Sequence, residues 1–367
     1  MSLVAPRPGC ATISRGRILF LSKSSRRSLI IAPSTVTESV LAQPLLALLR
    51  RFDLFGRLDV LADTSVAPLF RAMPEVNEVI ETDIAPDRID LMRRLALSRR
   101  LAANAYDCAY ILQEGRIASI APWLARIPER FDQGRGSAPG KAHQPRTSIA
   151  RRVMPVGDRF VAMAFASGES VPSGIPAPHL AASSQMTETL ARRLNLDTGR
   201  PLILLCPCSE LGPSSEWPVR HYAELAALIA LQWPDVAIGL VGDQRDRAVA
   251  TQVALLSGET LHNWCGELDL EQTLALMGHA AAVVTSESQY MHLAAALGRP
   301  HVAIYGAGSP RGHRVADTRR SVMWLNLECS PCLESHCRFG HMKCLSQQLP
   351  AQVFTSLRKA MRFSATA

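Results

Sequence analysis

From Val283 to Pro300 the chain reads VVTSESQYMHLAAALGRP, an apolar run that enters a polar turn and then a helix almost at once. Such a turn can hold a phosphate, because the first N–H groups of a helix lack partners and the helix dipole favours negative charge. Glycine usually stands where the backbone must approach the ligand closely, yet the middle of this turn is Glu287-Ser288-Gln289. The plainer reading is a capped helix start with Ser286 as N-cap. Three more turns share the strand–turn–helix setting: APSTVTES at 32–39, CPCSELGPSSEWP at 206–218 and VGDQRD at 241–246, while YGAGSP follows at 305–310. A second chemistry lies near the C-terminus. Cys329, Cys332, Cys337 and Cys344 form C-x2-C-x4-C-x6-C, with His336 and His341 inside the span. Four soft ligands this close can enclose one zinc or iron ion, and a closed set of thiolates would be structural. The alternative is reduced thiols or an oxidised pair, and the spacing departs from the two-knuckle zinc pattern. Cys10, Cys108, Cys206, Cys208 and Cys265 are scattered and read as reduced thiols.

The elements that must position these turns follow from periodicity. Strands are expected at Ser28–Ala32, Leu58–Ala62, around Val79-Ile80 and at Tyr106–Leu112, with helices over Glu38–Arg51 and Phe70–Met73. The stretches 132–152 and 167–178 are rich in Gly, Pro and polar residues and read as loops. Strands at Pro201–Cys206, Val236–Val241, Ala281–Thr285 and His301–Tyr305 then alternate with helices at His221–Trp233, Leu270–Gly278 and Tyr290–Leu297. This alternation implies α/β architecture with parallel sheets covered on both faces. The expected organisation is a basic tail at 1–27, a first unit at 28–180, a linker at 181–200 and a second unit at 201–367. Ligands in such sheets sit beyond the carboxyl ends of the strands, where all of these turns fall.

At 367 residues, 47% hydrophobic and 20% charged, the chain has the composition of a globular protein. No apolar run approaches the roughly 20 residues needed to span a bilayer, so a cytoplasmic protein is expected. The net charge of +8 suits an anionic partner such as a sugar nucleotide, a phosphorylated glycolipid or a membrane surface. Nucleic acid is not expected, because the basic residues are scattered and aromatics make up only 5%. The acid-free first 37 residues read as a basic tail, with an organelle transit peptide as the alternative.

Taken together, PEVNEVIETD, CPCSELGPSSEWPVRHYAEL, MHLAAALGRPHVAIYGAGSP and CSPCLESHCRFGHMKC resemble the bacterial heptosyltransferases of glycosyltransferase family nine, most of all its branch that adds the second heptose to the lipopolysaccharide inner core. The resemblance runs from about Leu29 to Val353. It implies the GT-B architecture, two Rossmann-like domains facing across a cleft, with inverting transfer that uses no metal or other cofactor for the chemistry. It also implies ADP-heptose on the second domain and a lipopolysaccharide core acceptor on the first, so that the protein works in peripheral contact with the inner membrane. Arg93, Arg94, Arg99 and Arg100 would dock it there, or would simply form a solvated helix face. The resemblance puts the base at Glu38, where the family has aspartate, and acceptor contacts at Arg116, beside Ile117 where the family has lysine. It puts nucleotide-sugar contacts at Ser209, Ser215, Asp246, Glu287, Ser288, Gln289 and His292. Ser215 stands where the family has its phosphate-contacting lysine, and Glu287-Ser288-Gln289 stands for Asp-Ser-Gly. These departures keep a second reading open, a member that has lost catalysis and acts as a binding or scaffold protein.

Overall fold

In a computed structural model, residues 25–84, 90–132, 154–165, 175–310 and 320–364 are described. The basic tail up to residue 24, the expected loop at 132–152 apart from Asp132, which belongs to a strand, and most of the one at 167–178 lie outside them. The apolar runs form short parallel strands, β1 Arg27–Ile31, β2 Arg57–Asp63, β3 Glu78–Thr82, β4 Cys108–Ile111 and β5 Glu129–Asp132. They pair in the order β3-β2-β1-β4-β5. Helices α1 Val36–Phe52, α2 Ala67–Arg71, α3 Leu91–Ala103 and α4 Ile120–Leu124 connect them. α5 Val156–Val161 packs on α1, and α6 Ser184–Arg193 lies within the stretch expected as linker.

The second sheet contains β6 Leu202–Cys206, β7 Ala237–Leu240, β8 His262–Asn263, β9 Ala282–Ser286, β10 His301–Ile304 and β11 Arg320–Met323. Its order is β11-β10-β9-β6-β7-β8, again with every pair parallel. Numbered within the unit this is 3-2-1-4-5-6 read from the other edge, the doubly wound dinucleotide-fold order. The first sheet has the same order without a sixth strand. The helices are α7 Val219–Gln232, α8 Arg247–Ser257, α9 Leu270–His279, α10 Gln289–Ala296, α11 Lys343–Ser346 and α12 Pro350–Ser364.

Both sheets reverse strand order beside their first strand, between β1 and β4 and between β6 and β9. Connections leave those neighbouring strands in opposite directions, which opens a crevice beyond their carboxyl ends. The two crevices are held in fixed relation. One apolar cluster runs from Leu46 and Phe70 of the first unit through Leu190 to Leu276, Val283 and Leu293 of the second. The crossing segment adds main-chain bonds to both sides, from Ala181 N to the Ala72 carbonyl (2.8 Å) and from Leu180 N to the Ala296 carbonyl (2.9 Å). Burying backbone this way demands such partners.

Candidate active site

The crevice between β6 and β9 gathers three of the expected turns. Ser215 ends a short 3-10 helix, Pro213–Ser215, and is fully buried. Its hydroxyl donates to Glu287 Oε2 at 3.3 Å, and the Gly308 N–H donates to the same oxygen at 3.0 Å. A Cβ built on Gly308 would meet Glu287 Oε1 at 1.5 Å, so glycine is required there for the carboxylate to lie on the backbone. Burial raises the Glu287 pKa above the usual carboxylate range, against the two donors that favour its charged form, and the nearby Glu210 charge raises it further. Glu216 is raised by burial and by the charge of Asp246. Asp246 is raised chiefly by burial, although the Asp243 N–H opposes this.

The other expected contacts fall into separate settings. Ser209 closes its own turn, donating to the Gly212 carbonyl (3.2 Å) and accepting from the Gly212 N–H (3.3 Å). Asp246 accepts from Asp243 N at 2.7 Å in a reciprocal capping box. The Ser288 hydroxyl turns inward, 3.0 Å from Thr285 Oγ1 and 3.9 Å from Cys208 Sγ. Ser288 is the N-cap of α10 without a side-chain cap bond. Ser286, expected as that cap, instead accepts from Trp217 N (3.1 Å) and pairs with Tyr222 Oη (2.9 Å) at the buried end of β9. Gln289 is half-buried at the start of α10, and His292 on its next turn is only 3% exposed. Tyr290 Oη reaches Asp243 Oδ1 at 3.4 Å and links two of the turns.

Opposite stands the crevice between β1 and β4. Thr35 caps α1 by accepting from Glu38 N at 3.2 Å, which sets Glu38 at the third helical position, half-buried. Thr37, one residue before it, donates to Glu210 Oε1 at 3.0 Å. Glu210 N in turn approaches the Glu287 carbonyl at 3.4 Å. Thr37, the neighbour of the expected base, therefore begins a short chain of contacts that ends at the Glu287 turn. Arg116 opens a 3-10 helix, Arg116–Ser119, and its side chain lies outside the described residues.

On α3 the expected row of arginines is exposed at three of its four positions and is corrected at Arg94. Arg93, Arg99 and Arg100 are exposed, but Arg94 is 6% exposed and donates to the Ile117 carbonyl at 3.2 Å. Arg94, Leu97, Ser98 and Leu101 recur at the spacing of one helix face, and that face turns to the sheet. That stripe was the signal in the sequence. Glu216 was missed as well, although it adjoins the Trp217-Pro218 pair.

The cysteine segment braces the second crevice. Cys332 N and Leu333 N both donate to the Ala307 carbonyl, at 3.0 and 2.9 Å. The Ser214 hydroxyl donates to the Glu334 carbonyl, and Ser214 N to that of Ser335 at 3.2 Å. Gln348 donates to the Cys344 carbonyl (2.7 Å) and receives the Trp217 indole N–H at its own carbonyl (2.9 Å). Cys329, Cys332 and Cys337 lie close enough to raise the Cys344 thiol electrostatically, an effect second to burial. N–H groups from Met342 and Phe339 hold Cys337 below the usual thiol range. Among the described residues, however, no group of three or more His, Cys, Asp or Glu side chains is disposed to hold a metal ion. Cys108, Cys206, Cys208 and Cys265 are buried free thiols, as expected. Among the described residues no helix is long and apolar enough to cross a membrane.

The family model of glycosyltransferase family 9 (heptosyltransferase) matches residues 94–343. The chain is 31% identical to lipopolysaccharide heptosyltransferase 2 of Salmonella typhimurium, over 77% of this chain and 83% of that one. It is 34% identical to lipooligosaccharide heptosyltransferase 2 of Haemophilus ducreyi, over 77% and 84%. The solved structure of Escherichia coli ADP-heptose lipopolysaccharide heptosyltransferase II superposes with a TM-score of 0.78 at 27% identity, covering 92% of this chain and 99% of that one. That likeness makes the two doubly wound units a GT-B fold. With turns from both units meeting at Thr37 and Glu210, and with these relatives matched along most of their length, the chain belongs to glycosyltransferase family 9, the heptosyltransferases.

Proposed function

We propose that this glycosyltransferase moves heptose from ADP-heptose to the inner core of lipopolysaccharide, with inversion at the transferred carbon. The reading is carried by the meeting of the two switch-point crevices, where Thr37, adjacent to Glu38, is bonded to Glu210 of the 206–218 turn. The names of the relatives, a lipopolysaccharide heptosyltransferase and an ADP-heptose-using one, support the donor and the acceptor. The unit at 28–180 takes the acceptor, with Arg116 among its contacts, and the unit at 201–367 takes the nucleotide sugar. Glu38 removes the proton of the acceptor hydroxyl as its oxygen attacks the anomeric carbon, and the bond to the diphosphate breaks on the opposite side.

The leaving diphosphate meets hydroxyl and N–H donors in place of the family's lysine. Gln289 and Ser288 supply backbone N–H groups at the start of α10, Ser215 a hydroxyl, and Asp246 addresses the nucleotide. His292 and Ser209 support the turn from behind. The carboxylate of Glu287 holds two of the donors, so nucleotide binding requires it to move aside or take up a proton. Protonated, it donates to a phosphate oxygen instead of repelling it. The raised proton affinity of Glu287 supports this role.

At the cysteine segment the sequence spacing of four thiols supports a structural zinc or iron ion, whose binding would require their side chains to close into a set that they do not form in this structure. Cys329, Cys332, Cys337 and Cys344 would hold it and thereby stiffen the 206–218 and 305–310 turns. The protein works in the cytoplasm, in peripheral contact with the inner membrane that carries its acceptor.

The direct test is ADP release from ADP-heptose in the presence of truncated core acceptor. Acceptor-dependent release that Glu38→Gln abolishes is expected. No turnover together with no thermal shift from ADP would favour the scaffold reading instead.

A further inference from the structure

We propose that the turn between α1 and β2, led by Leu54 and Phe55, anchors the protein to an anionic bilayer, with the basic sequence that precedes Ser25 as a second contact. The proposal rests on the peripheral membrane contact proposed above and names the surface that makes it. Leu54 is 69% exposed and Phe55 85%, the largest exposure of any large apolar side chain among the described residues. An isolated exposed apolar residue is ordinary. Two in succession at the tip of a turn present a wedge that the described residues leave uncovered.

The backbone beneath the pair is tied from several sides. Gly56 N donates to the Asp53 carbonyl (3.3 Å), Arg50 to the Gly56 carbonyl (2.6 Å) and Ser25 Oγ to the Phe55 carbonyl (3.3 Å). A Cβ on Gly56 would meet Asp53 Oδ2 at 2.4 Å, so glycine is needed for that carboxylate to accept from Arg26 N at 2.7 Å. The turn is therefore a firm mount with its two apolar side chains outside it.

Charge of one sign gathers at the same place. Arg27 and Arg51 are exposed beside the turn. The acids nearby are engaged: Asp53 by the N–H groups of Ser25 (3.3 Å) and Arg26, Asp107 by Arg27 N (2.9 Å), and Glu78 by the Arg57 guanidinium. The sequence before Ser25 holds Arg7, Arg15, Arg17 and Lys23 and no acid, and it joins the fold at this turn through Ser25. An apolar wedge flanked by cations is what interfacial binding to anionic lipid requires. Neither signal suffices alone, since a small wedge binds marginally and surface cations are screened by salt. On α3, the rival surface, Arg93 is bridged to Asp83 (2.9 Å) and Asp90 (3.2 Å). The turn lies at the amino ends of β1 and β2, whereas the first crevice opens at the carboxyl ends, so anchoring leaves that crevice free.

The test is flotation of the full-length protein with vesicles of phosphatidylcholine containing about one third phosphatidylglycerol, compared with phosphatidylcholine alone. Wild type is expected to bind the mixed vesicles about tenfold or more tightly than the neutral ones. Leu54→Ser with Phe55→Ser should weaken binding to the mixed vesicles about ten- to a hundredfold, the range for two partly inserted side chains. ADP affinity and turnover on lipid-free acceptor should stay unchanged. Arg7→Ser, Arg15→Ser, Arg17→Ser and Lys23→Ser together should remove most of the preference for anionic vesicles. Phe55→Trp should add fluorescence that brominated lipid quenches, which reads insertion even if the double variant does not fold. Undiminished binding by the double variant, no added quenching, or equal binding of wild type to both vesicles overturns the proposal. So does a wild-type dimer in sedimentation equilibrium that the double variant does not form, because the turn would then face a second copy. Wild type that binds neither vesicle overturns the peripheral contact as well. Binding that survives the double variant and is lost in Arg99→Gln with Arg100→Gln overturns the proposal alone and moves the contact to α3. Because binding is read without turnover, a failure of sugar transfer would count against the transfer reading and not against this one.

Discussion

The two switch-point crevices share strand order yet differ in how their polar groups are satisfied. Beyond β6 and β9 the protein uses its own carboxylate: Glu287 lies on Gly308 and takes the Ser215 hydroxyl, with Glu216 and Asp246 close by. Beyond β1 and β4 a buried cation, Arg94, lines a small cavity instead. One crevice ties up donors with a carboxylate of its own, and the other sets a buried guanidinium beside its carboxylates. A fold of this kind fixes where ligands sit, while the side chains in the turns decide what charge must arrive or leave with them.

The largest break in this comparison should come from Glu38→Gln. Loss of a positioned base is expected to cut turnover by about 10²- to 10⁴-fold, with ADP affinity measured by calorimetry unchanged. Next, Glu287→Gln should tighten ADP severalfold at pH 8, because it removes a buried like charge and keeps an acceptor for Gly308 N–H. The gap should close as pH falls, since the raised proton affinity of Glu287 neutralises the wild type first. The same sign governs stability. A buried carboxyl with raised proton affinity stabilises the fold most in its protonated form, and that contribution is lost as pH rises through its folded-state pKa. Glu287→Gln should therefore raise the melting temperature more at pH 8 than at pH 5.

Chelation tests the brace behind the second crevice. If the four cysteines hold an ion, its removal should lower the melting temperature by several degrees and weaken ADP more than acceptor oligosaccharide. Metal analysis finding no ion in protein purified without chelator would remove that element of the proposal. Thr37→Val should have the smallest effect. It removes one exposed hydrogen bond between the units, and a change in acceptor KM of about twofold is expected, with stability nearly unchanged.

Much of the fold was legible because strands buried on both faces read as continuous apolar runs, as LILLC in β6 and AVVTS in β9 do. Two edge strands carry no such signal: β5 is ERFD and β11 is RSVM, both short and at least half polar, and both went unread. At the sites, the turns could be found from their strand–turn–helix setting, but the direction of each side chain could not. Ser288 turns inward because Thr285 and Cys208 are within reach, and Cys208 lies 80 residues away in sequence. Ser209 is used by its own turn. The hold of Glu287 on Gly308 depends on three separate loops meeting, which no local pattern encodes. Arg94 was the exception: its helical stripe was readable, and the density of arginines around it hid the pattern.

The central claim is that a nucleotide diphosphate enters a crevice whose donors are already held by a carboxylate, so that binding is coupled to a proton. Calorimetric titration of ADP near neutral pH, repeated in buffers of different ionisation enthalpy, measures the protons exchanged on binding. Wild type should take up more protons than Glu287→Gln, by a difference approaching about one per site. Identical proton exchange in the two proteins, with identical affinity, would contradict the account.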